Sequence, residues 1–243
     1  MGGYSAIEAT IVLFKLALKD KTFDRFVILQ GLEYPIRSNS EIIDFFRKHV
    51  DTEFIKAQDI SHSTDWHEYH KFRLYWRMDE RSIFVKIIHK MNKEFQKKEF
   101  IPYFKKNFVK SNDGTKMFIH QGCAQFSVTR VVAEYIVKFH DNNFRFNQYF
   151  KTVFAPDESY FHTIIYNSKY VDRILDGKAI TRPHLTDFEN LTYFEYPKQI
   201  KLFIKKEEWP KLRDSGFLFF RKASSDSKEL LDYIDWVHRE LDT

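Results

Sequence analysis

A mixed α/β domain is what this chain predicts, on three observations. Ile7, Ile11, Phe14 and Leu18 recur at helical spacing, whereas Phe26-Val27-Ile28-Leu29 is a continuous apolar run of the kind that makes a short strand covered on both faces. The two patterns alternate along the chain. Glycine, at 7, and proline, at 6, are too scarce for a β-barrel or a long disordered linker. With 243 residues, 43% of them hydrophobic, the chain is long enough to bury a substantial core, and a single domain over 1–243 is expected.

Charge and cysteine content narrow the setting. The excess of 39 basic over 34 acidic residues leaves +5, which suits an anionic ligand or an acidic membrane surface and does not call for nucleic acid. Cys123 stands alone, so no intrachain disulfide forms and a reducing compartment is expected. The apolar run Ile11-Val12-Leu13-Phe14 is followed by Lys15 and is too short for a membrane span or a signal sequence, so any membrane contact is peripheral.

Each element follows from a local signal. A helix begins directly behind Met1-Gly2-Gly3-Tyr4-Ser5, and the 26–29 strand leads into Gln30-Gly31-Leu32-Glu33-Tyr34-Pro35-Ile36. There Gly31 permits a tight bend, and Glu33 falls near the carboxyl end of the strand, where open α/β sheets bind ligands. Ser38-Asn39-Ser40 caps an amphipathic helix from Glu41, and Glu53-Phe54-Ile55 reads as the next strand. Over 61–81 the pattern fails in a polar, aromatic segment that reads as a surface loop. Its His62, His67 and His70 match no zinc spacing, so no metal is expected. Phe84, Ile87, Ile88, Met91 and Phe95 mark a long helix with Lys90, Lys93, Lys97 and Lys98 on its solvated face. Strand 117–119 precedes a bend at Gly122 and a helix over about 127–139; Cys123 reads as packing. Strands at 192–196 and 200–204, a short helix over 207–213 and a terminal helix over about 227–241 complete the chain, with Arg221 and Lys222 ending an aromatic run.

The stretch Phe154-Ala155-Pro156-Asp157-Glu158-Ser159-Tyr160-Phe161 is the candidate centre. Proline fits a helix's first turn and carboxylates suit its positive end, so taken alone this is a capped helix start. Its neighbours supply the context. The blocks Gly2-Gly3-Tyr4-Ser5-Ala6-Ile7-Glu8-Ala9, 23–36, Gly122 with its helix, Pro156-Asp157-Glu158 and Phe219-Phe220-Arg221-Lys222 together resemble the core-2/I-branching β-1,6-N-acetylglucosaminyltransferases and the related protein xylosyltransferases, in order and over nearly the whole chain.

The resemblance implies a GT-A-like fold, a mixed and mainly parallel sheet flanked by helices. It implies an inverting, metal-independent transfer of N-acetylglucosamine, or xylose, from a UDP-sugar to a glycan or lipid-linked saccharide hydroxyl, with no cofactor. Residues 1–60 would be the remainder of a nucleotide-binding half and 61–243 the acceptor and catalytic half. Glu158 falls on the family's catalytic base. Lys222 falls on its diphosphate-binding lysine beside Arg221, and the second basic residue falls on Lys201 or Lys198. Two such cations at about 4 Å, each worth at most about 4 kcal/mol at an effective dielectric near 20, replace much of a divalent ion's work. No Asp-x-Asp occurs in the sequence. Glu33 keeps a carboxylate where the family has an aspartate, one methylene longer. Asp157, Trp66 and Trp76 are the acceptor-side candidates. Two departures stand out. Ala223 replaces the usual aromatic, and Met1 stands where relatives carry a first strand-helix-strand segment. The sequence is therefore expected to be N-terminally truncated relative to the family, with an unpaired edge beside 26–29, weak UDP binding and self-association. An inactive carbohydrate-binding or scaffold module is the alternative. The setting expected is a microbial cytoplasm, peripheral at the inner membrane face, in polysaccharide biosynthesis.

Overall fold

The computed structural model describes residues 2–61, 66–97, 108–175 and 190–241. Helix α1 (Tyr4–Ala17) buries Ile7, Ile11 and Phe14 of the stripe that predicts it, together with Tyr4, while Leu18 caps its end half-buried. Its N-terminus is capped from a distance: Ser5 donates from its backbone N to Asp79 Oδ2 at 3.1 Å and from its hydroxyl to Oδ1 at 2.6 Å. A Cβ on Gly3 would collide with that carboxylate.

Strand β1 (Arg25–Ile28) and β2 (Glu33–Pro35) are joined through Gly31, whose φ of 76° only glycine adopts without strain. Helix α2 (Asn39–Lys48) starts in a capping box in which Ser38 and Glu41 satisfy each other's backbone N–H groups. Then come β3 (Ala57–Asp59), α3 (Trp66–Arg73), α4 (Ile83–Lys97), β4 (Phe108–Lys110), β5 (Lys116–Phe118), β6 (His120–Gly122), β7 (Phe126–Thr129), α5 (Arg130–Asn142), α6 (Phe144–Phe150) and α7 (Tyr160–Tyr166). The chain closes with β8 (Thr192–Tyr193), α8 (Trp209–Asp214), β9 (Phe219–Arg221) and α9 (Lys228–Leu241).

The α/β class holds, but the mainly parallel sheet does not appear among the described residues. The strands are two to four residues long and form small sheets, β1-β7, β2-β9-β8, β3-β6 and β4-β5, in which only β8-β9 is a parallel pair. Connection length sorts two of these pairs. A parallel pair needs a long crossover, and β8 and β9 have one through α8, while β4 and β5 are joined by a turn in which Ser111 N donates to Thr115 O. Strand β1 is correspondingly less covered than its run suggests, with only Phe26 buried.

Three other expectations change. Of the 61–81 segment, residues 66–81 are no surface loop: they hold α3, and Phe72, Leu74 and Trp76 are buried. Residues 127–129 belong to β7, so the following helix starts at Arg130. Over 200–204 there is no strand, although Phe203 N donates to Lys222 O and Lys222 N to Lys201 O, which ties this segment to the end of β9. On α4, Lys90, Lys93 and Lys97 are exposed as expected, while Lys98, His62 and the His67 side chain lie outside the described residues. Among the described residues no helix is long and apolar enough to cross a membrane.

Two cores position the site. The larger packs α1, α5, α6 and α7 on β1 and β7; Phe14 meets Phe161, and Tyr160 meets Phe146, Phe150 and Phe161, edge to face, while Phe126 lies tilted against Phe161. The smaller packs α8 and α9 on β2 and β9 through Ile36, Trp209, Phe220, Leu230 and Ile234. Glu53, whose side chain is 0% exposed, anchors the head of α5: its carboxylate accepts from Thr129 N at 2.8 Å and from the Thr129 hydroxyl at 2.6 Å, and Arg173 Nε lies 3.5 Å away.

Gly122 is where sheet and helix come closest, since a Cβ there would run into Lys56 O and lie 2.7 Å from His162 Nε2. Gly122→Ala should therefore cost about 2 kcal/mol or more by overpacking, measured by urea unfolding, whereas Gly114→Ala, whose Cβ meets nothing within 4 Å, should cost only the strain of its positive φ.

Candidate functional site

The Pro156–Glu158 stretch is a single 3-10 turn rather than the first turn of a longer helix. Ala155, buried and in left-handed backbone at φ 46°, precedes Pro156, and Ser159 at φ −142° breaks the chain before α7. Left-handed alanine costs of order 1 kcal/mol and persists only where surrounding packing holds it. Its effect is to send two consecutive carboxylates into different surroundings.

Glu158 reaches the surface, with its side chain 35% exposed. Its Oε2 accepts from Lys71 Nζ at 3.3 Å and from Gln121 Nε2 at 3.3 Å. Lys71 arrives through a backbone clasp: Phe154 N donates to Lys71 O at 3.0 Å and Trp76 N to Thr152 O at 2.9 Å. Gln121 is carried on β6, one residue before Gly122. Asp157 points inward. Burial first, and the Glu158 carboxylate beside it second, push its carboxyl up from 3.8 to about 6. Its Oδ1 is buried without a hydrogen-bond partner among the described residues, and its Oδ2 accepts from Gln30 Nε2 at 3.4 Å.

From Gln30 the network crosses to the smaller core. Gln30 Oε1 accepts from Arg221 Nη1 at 2.8 Å, and the same nitrogen donates to Glu33 Oε1 at 2.7 Å. Gln125 Nε2 also donates to Glu33 Oε1 at 2.7 Å, and Glu33 Oε2 accepts from Gln30 N at 2.6 Å and Leu32 N at 3.3 Å. The Glu33 side chain is 0% exposed, and the β2-β9 register sets it opposite Arg221.

The structure thus brings Glu158, Asp157, Glu33 and Arg221 into one continuous set of contacts. Lys222 is partly exposed and meets no carboxylate among the described residues, and it shares backbone hydrogen bonds with the Lys201 segment. The Lys201 ammonium is engaged elsewhere, 2.7 Å from Glu208 and 3.9 Å from Glu195, and Lys198 is exposed on a bend. Trp76 has a different part from the stacking surface expected of it. It is 3% exposed, donates from Nε1 to His70 O and packs edge to face on Phe154 at 5.0 Å, so it offers no face to a sugar and instead braces the segment carrying Lys71. Trp66 opens α3, and its side chain lies outside the described residues.

Lys71, Gln121 and Gln125 have no motif to mark them. Gln30 stands inside the 23–36 block and Lys71 inside the 61–81 segment, and Gln121 and Gln125 flank the Gly122 bend.

Compared with known proteins, residues 1–195 match the family described as Core-2/I-Branching enzyme. Similar proteins include xylosyltransferase 2 of Rattus norvegicus, 25% identical over 164 residues that cover 64% of this chain and 16% of that protein. Xylosyltransferase 1 of Rattus norvegicus is 25% identical over 186 residues, 72% of this chain and 19% of its own length. Xylosyltransferase 2 of Homo sapiens is 25% identical over 163 residues, 64% of this chain and 15% of that protein. The chain therefore spans less than a fifth of these relatives.

The Asp157 carboxyl generates a test of sign. Its folded pKa is raised, so its contribution to stability is fully present below the ordinary carboxylate value and is lost as pH rises through about 6. Asp157→Asn should gain in melting temperature over the parent at pH 8 by a few degrees, equivalent to at most about 3 kcal/mol, with the gain shrinking toward pH 4. A melting-temperature difference that is flat across that range would show that Asp157 titrates normally.

Proposed function

We propose, from the premise that the chain belongs to the Core-2/I-branching enzyme family, that it is an inverting, metal-independent glycosyltransferase moving N-acetylglucosamine, or xylose, from a UDP-sugar to a hydroxyl of a glycan or lipid-linked saccharide. The observation that carries the reading is Glu158: a surface-reaching carboxylate held from two sides by Lys71 and Gln121, next in the chain to the half-buried Asp157. In this mechanism Glu158 takes the proton of the acceptor hydroxyl as that oxygen attacks the anomeric carbon. The carbon–oxygen bond to the diphosphate breaks, and UDP leaves with the electron pair from the opposite face. Lys222, without a carboxylate partner among the described residues, is the cation assigned to the leaving diphosphate. Arg221 is assigned a positioning part, since its Nη1 is taken by Glu33 and Gln30. Lys201 and Lys198 remain candidates for a second cation, and Lys201 would have to leave Glu208 to serve. Residues 1–60 would contribute to the donor half and 61–243 to the acceptor and catalytic half. The proposed setting is cytoplasmic, at the inner membrane face.

One observation favours a second reading. Arg221 and Lys201 are both satisfied within the chain, which is what an inactive carbohydrate-binding or scaffold module would show. Radiolabelled transfer from UDP-GlcNAc and UDP-xylose to an acceptor panel separates the two.

Where transfer is measured, Glu158→Gln should lower kcat by about 100-fold or more with an unchanged melting temperature, because general-base assistance is worth that much. A near-normal kcat would take Glu158 out of the mechanism. Transfer should also persist in EDTA, with the charge on the leaving diphosphate met by side chains. Complete loss restored by manganese would contradict that.

A further inference from the structure

Strand β2 has two faces, and only one belongs to the site above. Glu33 turns to Arg221, whereas Tyr34, one residue on, lies on the opposite face with its register partner Phe220. On that face β2, the start of α2 and the last turns of α9 enclose an open groove of about 860 Å³, walled by Tyr34, Pro35, Arg37, Asp235, His238 and Arg239. The volume lies within the range of ordinary ligand sites.

Three basic side chains converge there from two separate stretches of chain, each fixed by one nitrogen on a backbone carbonyl. Arg37 donates from Nη2 to Arg213 O at 2.8 Å, and Arg239 from Nε to Asp235 O at 3.2 Å. His238 Nε2 lies 3.0 Å from Ile36 O; a carbonyl only accepts, so Nε2 carries the hydrogen and Nδ1 is the open position of the ring. The terminal nitrogens of Arg239 meet no carboxylate among the described residues, and Arg37 Nη1 has only Glu41 at a long 3.9 Å. The one carboxylate in the wall, Asp235, accepts from the Tyr34 hydroxyl at 2.6 Å through one oxygen. Cations in the last turn of α9 suit the helix dipole by themselves, but that does not bring Arg37 to the same groove.

We propose that this groove is an accessory site for an acidic saccharide, in which Arg37 and Arg239 hold the anionic group, a uronate carboxylate or a sugar phosphate. Guanidinium forks match either anion. The second Asp235 oxygen accepts a ring hydroxyl, and the Tyr34 ring supplies an apolar wall for the sugar. The concavity, with polar groups set among apolar surface, suits a saccharide and does not suit a flat bilayer. The site is separate from Glu158 and stands whether or not the chain transfers sugar.

Calorimetric titration of the full chain tests it with three probes: a hyaluronan hexasaccharide, glucose 6-phosphate and neutral chitohexaose. At least one acidic probe should bind about tenfold or more tightly than chitohexaose, weaken with added salt and ignore excess UDP. The acidic probe that binds identifies the anion as carboxylate or phosphate. Arg37→Ala with Arg239→Ala should weaken it by about tenfold or more, a loss of about 1.4 kcal/mol or more, and Glu158→Gln should leave it unchanged. Arg239→Glu alone, on an exposed side chain, must act in the same direction and covers the case in which the double variant does not fold. Equal binding of chitohexaose, no binding of either acidic probe, an unaffected Arg239→Glu variant, or competition by UDP would each overturn the proposal.

Discussion

A carboxylate taken wholly out of water sets the terms for the centre of this molecule. Glu33 gives up its hydration on β2, and a lone buried charge would cost several kcal/mol, so its oxygens must be met inside the protein. They are met by Arg221, Gln125 and two backbone N–H groups. Each donor comes with a consequence. Arg221 fixes the end of β9 against β2, Gln125 brings the loop before β7, and Gln30, which shares Arg221, touches Asp157. One desolvated group thereby holds the smaller core to the larger one.

The turn at Ala155 exploits that frame. Left-handed backbone ahead of a proline is an unfavourable choice for alanine, and it persists here at a buried position, Ala155 being 3% exposed. The outcome is a division between neighbours. Asp157 is half-buried with its Oδ1 fully covered, and its carboxyl is raised to about 6, while Glu158 reaches the surface between a lysine and a glutamine. Two carboxyl groups in unlike surroundings are suited to unlike tasks, and the proton-accepting part proposed for Glu158 rests on that difference.

Charge pairing also sorts the cations. The chain's modest excess of positive charge is dispersed, and most basic side chains near the network are spent on it: Arg221 on Glu33, Lys71 on Glu158, Lys201 on Glu208 and Glu195. Lys222 differs in meeting no carboxylate among the described residues, with its main chain stitched to Lys201 and Phe203. Trp76 shows the same economy for an aromatic, packed against Phe154 just ahead of the Pro156–Glu158 turn and almost fully covered.

The sequence by itself determined what depends on near neighbours. The apolar stripe of α1, the Ser38–Glu41 capping box, the bend at Gly31 and the positions of α4 and α9 follow from spacings of a few residues, and the ordered motif blocks mark the family and single out Glu158. Tertiary structure decided strand direction, because parallel or antiparallel pairing depends on which distant segments meet and through what connection. It also decided which charges remain available. Lys71 meets Glu158 across 87 residues and Arg221 meets Glu33 across 188, separations over which no local pattern carries information. The same holds for Trp76 and for the groove behind Tyr34: burial and convergence belong to the packed whole, and the energy of a charge or an aromatic ring is set by what the fold places around it.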